Sequence, residues 1–148
     1  MRTGALRFIL SLAILLNGCV SDRGSIPVAM RRLDKGTQSG VIESRQLVIQ
    51  DNAGWEKLWG DHKSGIQPSQ PLPEIDFSRE MVIFVALGQQ FTGGTSVEID
   101  RVENSGRDLK ILVRQRVPPD GSMVTQALTS PFDIVAVPKS NLPSKFIK

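Results

Sequence analysis

Apolar and polar positions along the chain fall into short blocks, and the densest block is Met81-Val-Ile-Phe-Val-Ala-Leu87. Seven consecutive apolar residues are too few for a helix. Their β-branched and aromatic content predicts a strand covered on both faces. Gly88-Gln-Gln-Phe-Thr-Gly-Gly94 breaks the run with glycines that permit positive φ or close backbone approach, and it leaves Phe91 on the exposed side of the break. Val97, Glu98, Ile99 and Asp100 then alternate, which predicts a half-buried strand paired with the first. After a turn at Asn104–Asp108, Leu109, Ile111, Val113 and Val117 share one parity, with Lys110, Arg114 and Arg116 on the other. Glu98 and Asp100 are therefore expected to face Lys110 and Arg114 across the strands of a wet surface.

Downstream, Val117-Pro-Pro-Asp-Gly-Ser122 reads as a turn, Met123–Leu128 as a strand or extended segment, and Phe132–Val137 as the last clear strand. Pro138 ends it, and Lys139–Lys148 is a loosely patterned tail. Upstream, Val28–Leu33 and Val41–Ile49 read as modest strands around a turn at Lys35–Gly40. Trp55, Leu58 and Trp59 fall at helical spacing behind Asp51 or Asn52, either of which can cap a helix N-terminus. Both indoles are expected to fix that helix to the sheet, with an aromatic glycan platform as the alternative. Gln67-Pro-Ser-Gln-Pro-Leu-Pro73 has too many prolines for a central strand and reads as an extended crossover. The expected fold class is mainly β, or α+β with one short helix: about six or seven strands in a mostly antiparallel sheet or small sandwich, as a single domain.

The N-terminus changes this picture. Arg2 and Arg7 precede Phe8-Ile-Leu-Ser-Leu-Ala-Ile-Leu-Leu16, an apolar run too short to span a bilayer but of signal-peptide length. It ends at Leu16-Asn17-Gly18-Cys19, and Cys19 is the only cysteine in the chain. A lone thiol in an exported chain has no intramolecular partner. Leu, a variable residue, a small residue and Cys after an apolar segment resembles the lipobox of bacterial lipoproteins. That resemblance implies cleavage before Cys19 and lipid attachment to it. Multiple acyl chains hold a protein on a membrane stably where one does not. Val20, rather than an acidic residue, follows Cys19, which by the same resemblance implies outer-membrane sorting in a Gram-negative cell. The boundaries read as signal peptide 1–18, tether 19–27 and a single β-rich domain 28–148.

Removing residues 1–18 also removes two arginines and no acid, leaving 16 basic against 15 acidic side chains. A near-neutral exported domain gives no support to nucleic-acid binding, which needs a clustered basic excess.

Candidate chemistry is sparse. His62 is the only histidine and is expected at the surface or as a cap, and Asp76 as a turn acceptor. No G-x-S-x-G, H-E-x-x-H or phosphate-binding glycine loop is present. Catalytic, metal-binding and cofactor-binding residues are expected to be none.

Leu72-Pro73-Glu-Ile75-Asp76-Phe77, the strand Met81–Leu87 ending in Gly88, Thr92-Gly93-Gly94-Thr-Ser-Val97-Glu-Ile99 and Thr129-Ser130-Pro131-Phe132-Asp-Ile134-Val135 together resemble the C-terminal domain of the protease complex subunit PrcB family. The family core would cover about residues 72–137, and Trp55-Glu-Lys-Leu-Trp59 resembles the lead-in that precedes it. Many relatives carry Tyr after the double glycine, where this chain has Thr95; Phe91 is the aromatic that could stand in for it. The resemblance implies a non-enzymatic lipoprotein that helps assemble or stabilise an exported protease. The expected function is a membrane-anchored binding or accessory subunit of the cell envelope, held by lipid on Cys19. Its candidate partner-binding loop is Phe91, Thr92, Gly93 and Gly94. The alternatives are a small β-fold protease inhibitor and an envelope lipoprotein that binds another ligand.

Overall fold

A computed structural model describes residues 24–148. The expected signal peptide, the expected lipidation site Cys19 and most of the expected tether lie outside the described residues. The elements are β1 (Ile26–Val28), β2 (Arg31–Gly36), β3 (Ser44–Ile49), α1 (Asn52–Lys63), β4 (Glu80–Leu87), β5 (Ser96–Asn104), β6 (Leu109–Arg116), β7 (Phe132–Pro138) and β8 (Ser144–Ile147).

The strands form two four-stranded sheets, β1-β5-β6-β8 and β2-β7-β4-β3. Every pairing is antiparallel except β6 with β8. The mainly β reading with one helix holds, in its sandwich form.

Three layers explain the apolar run of β4. Met81, Ile83 and Val85 point into the core between the sheets, meeting Val97, Ile99 and Val102 of β5 and Leu109, Ile111 and Val113 of β6. Val82, Phe84 and Ala86 point the other way, under Trp55, Leu58 and Trp59 of α1. A strand with a sheet on one face and a helix on the other has no polar side to show. Asp51 caps α1, its Oδ1 accepting from the Gly54 N–H at 2.8 Å. The two indoles are buried, which excludes the platform reading. They donate to Pro73 O (2.9 Å) and Gln70 O (3.3 Å), so the proline-rich crossover supplies their acceptors.

Several expectations are corrected. β4 and β5 are not a hairpin: they lie in different sheets, and residues 88–95 cross between them. The segment Val28–Leu33 is two strands. The chain leaves β1 and switches sheets at Ala29 and Met30 to enter β2. β1 begins at Ile26, so the last two residues assigned to the tether already pair with β5. The stretch Val41–Ile49 becomes strand only from Ser44, and of the two readings of Met123–Leu128, strand or extended segment, the strand is not formed. The tail contributes β8, whose Phe146 packs against the inter-sheet core.

Candidate functional site

Strand direction decides which loops meet. β4 ends, β5 begins, β6 ends, β7 begins, β2 ends and β3 begins at one end of the sandwich, as the pairings Ser44↔Leu87, Ala86↔Phe132, Gly36↔Phe132 and Ser96↔Arg116 show. Three loops are tied together there: residues 37–43, 88–95 and 117–131.

The ties are backbone contacts that glycine makes possible. Gly88 has φ +78°, and a Cβ on it would stand 2.8 Å from Ser44 N and 2.9 Å from Ile42 O. The adjacent Gln89 N–H donates to Ile42 O at 2.9 Å. Gln90 and Thr129 form a two-way bridge, with N–H to O distances of 2.7 and 2.9 Å. The Gly93 N–H donates to Thr125 O at 2.9 Å, and a Cβ on Gly93 would meet the Thr125 hydroxyl at 2.4 Å. Gly94 has φ +91° and lies against Pro118. The double glycine is therefore a seat for the 117–131 loop.

This frame divides the four candidate loop residues. Phe91 is 76% exposed, Thr92 is half-buried, Gly93 is buried and Gly94 is exposed. Thr95 is buried, so the aromatic that a partner can meet in this loop is Phe91. Ile42, Val117, Met123 and Leu128 are also exposed at this end. No charged residue occurs in 88–95, and Asp120 is the only one in 117–131. The four added apolar residues escaped the sequence reading because each stands alone in turn-rich chain, and only the fold collects them. Their one sequence signal is the near absence of charge across both loops.

A second cluster lies at the base of the same region. His62, expected at the surface, is fully buried. Its Nδ1 is 2.9 Å from the Ser39 hydroxyl and its Nε2 is 3.2 Å from Asp34 Oδ2, while Lys63 Nζ donates to the same Asp34 oxygen. The ring packs edge-on against Phe132, with centroids 4.3 Å apart, and also meets Trp59 and Phe84. Burial pushes the imidazole below its ordinary pKa, against the hydrogen bond to Asp34, which raises it. Burial raises Asp34 too, but its bonds from Lys63 and His62 outweigh this and hold the carboxyl below the usual carboxylate range. Ser39, His62 and Asp34 are residue types that could relay protons. Here, however, the serine hydroxyl is buried and already accepts from the Val41 N–H at 3.1 Å. The Gly40 N–H donates to His62 O at 2.8 Å, and a Cβ on Gly40 would stand 2.3 Å from Asp61 O. The cluster clasps the β2–β3 loop to the end of α1.

Several other charged residues serve the fold. Asp76 is the turn acceptor expected, bonded by the Ser78 N–H at 3.0 Å and by the Ser78 hydroxyl, which hold its carboxyl below the ordinary range. On the outer face of β5 and β6, Arg114 reaches both Glu98 (3.4 Å) and Asp100 (2.6 Å). Lys110 instead stands opposite Glu103, four residues along β6 from Arg114 and so beyond reach of the Glu98 position in the ladder. Among the described residues, no group of His, Asp or Glu is arranged to hold a metal ion.

Neither the curated proteins nor the solved structures gave a match to the chain. The family comparison did: residues 81–138, from the apolar run of β4 to the end of β7, match the family described as PrcB C-terminal, beginning after the Leu72–Phe77 piece expected in its core. Over those residues, less than half of the chain, the protein is similar to the PrcB C-terminal domain.

Proposed function

We propose that this protein is a lipid-anchored, non-catalytic accessory subunit of an exported protease complex in the bacterial cell envelope. On this reading Cys19 carries the lipid, and the loop end of the sandwich carries the partner. One observation supports the reading above others: Phe91, Val117, Met123 and Leu128 stand exposed on two loops, 88–95 and 117–131, whose only charged residue is Asp120. Depletion of charge around aromatic and methionine side chains is the composition of interface centres. The glycine seat holds Phe91 on a braced loop, so little order remains to be lost on binding. The domain type adds the class of partner, a protease complex.

The test is co-purification of the full chain with an exported protease encoded beside it. Phe91→Ala combined with Met123→Ser is expected to reduce recovery of the protease severely while leaving the fold intact. Undiminished recovery would remove the loop end from the interface. Dose-dependent loss of protease activity on adding the wild-type protein would point instead to the inhibitor reading.

A further inference from the structure

We infer that the loop end is the membrane-distal pole of the anchored protein, and that its partner is a protein in the aqueous compartment and not the lipid surface. This rests on the reading of Cys19 as the lipid attachment site.

The chain enters the fold at the opposite pole. Ile26 pairs with Asn104, the last residue of β5, whereas Ser96, the first residue of β5, adjoins the apolar loops. At about 3.3 Å per residue, the nine residues of β5 span about 25–30 Å, and the loops project beyond it. From Cys19 to Ile26 the chain advances seven residues, which even at full extension cover at most about 25 Å. A tether of that length, starting at the bilayer surface, cannot run the length of the sandwich and also lower the loop tips into lipid.

Charge points the same way. The loops 88–95 and 117–131 contain no Lys or Arg that could attract anionic headgroups. The entry pole displays Arg79 and Arg107, neither of which is in an ion pair among the described residues, with Asp76 and Asp108 beside them; at the loop end Arg116 is the one such arginine. Two apolar loops with a single acid, bordered by Arg116 and the Glu43–Arg45 pair and held away from the bilayer, fit a largely apolar protein patch. They do not fit the basic-and-apolar pattern of a membrane-inserting loop.

Cys19 is the only cysteine, so once it is acylated an introduced cysteine is the sole thiol available for labelling. Full-length lipidated Arg107→Cys and Met123→Cys proteins, each carrying a fluorophore, are reconstituted on vesicles that contain an energy-acceptor lipid. Transfer to the bilayer is expected to be several-fold more efficient from position 107 than from position 123. Equal transfer, or stronger transfer from 123, on vesicles with which the protein co-floats would overturn the orientation while leaving the anchor standing. Failure of both proteins to co-float would overturn the anchor, and the orientation with it.

Discussion

The carboxylate of Asp133, wholly buried on β7, accepts a 2.7 Å hydrogen bond from the backbone N–H of Ile99 on the facing sheet. The same carboxylate takes a two-pronged bond from Arg32 at 2.9 and 3.0 Å, and Arg32 donates onward to Ile99 O at 3.1 Å. One acid and one base thus satisfy the backbone of β5 where its register shifts and β1 no longer covers it. Side chains from one sheet do there what a neighbouring strand would otherwise do.

Asp133→Ala leaves the Ile99 N–H and the Arg32 guanidinium without their acceptor. The expected loss is about 3 kcal/mol, at the lower end for a broken buried pair because Arg32 is partly solvated. The midpoint of urea unfolding measures it, and an unshifted midpoint would show that the bridge contributes nothing net.

Acid should loosen the clasp around His62. Its folded pKa lies below the ordinary histidine value, so the unfolded chain binds the proton more readily. Stability is then full above the unfolded value of 6.5 and falls as the pH drops below it. Asp34 acts in the same direction at lower pH, because its depressed pKa gives stability that is present above 3.8 and lost as it protonates. Lys63 faces the same carboxylate. Unfolding midpoints at pH 7.5 and 5 should differ for the wild type, and His62→Leu should flatten that difference even if it lowers both values.

Two glycines with similar φ separate conformational strain from crowding. Gly106 has φ +80° and open space where a Cβ would sit, whereas Gly88 has φ +78° and three backbone atoms within 3.0 Å. Gly106→Ala should cost about 1 kcal/mol, as expected for an L-residue forced to positive φ. Gly88→Ala should cost clearly more, because Ser44 and Ile42 must move. Equal losses in thermal or urea unfolding would mean that the contact between residues 88 and 44 is slack.

Phe91→Ala should leave stability within about 0.5 kcal/mol of wild type, because an exposed ring has little packing to lose. A large drop would mean that the ring braces its own loop.

Cys19→Ala should move the protein from the membrane fraction to the soluble fraction. Retention on the membrane would indicate an attachment other than lipid.

Patterns confined to neighbouring residues were legible without coordinates. The seven-residue run of β4, the helical spacing of Trp55, Leu58 and Trp59, the cap at Asp51 and the alternation in β5 and β6 are local consequences of side-chain period, and each has its counterpart in the fold. The Thr-Gly-Gly motif was legible as a special backbone site for the same reason. The facts that turn these elements into a candidate site are long-range. Whether β4 and β5 pair or part depends on which sheet each joins, and the period of a strand carries no information about its neighbours. His62 had no partner within ligand spacing in the sequence; its partners stand 23 and 28 residues away. Phe91, Val117, Met123 and Leu128 stand at one end only because strand direction brings their two loops together. The sequence by itself determined the helix, most of the strands and the sparseness of charge in the two loops. Only the tertiary structure decided that these loops form one apolar pole, at the far end of the sandwich from Ile26, because that placement follows from topology, which no local pattern encodes.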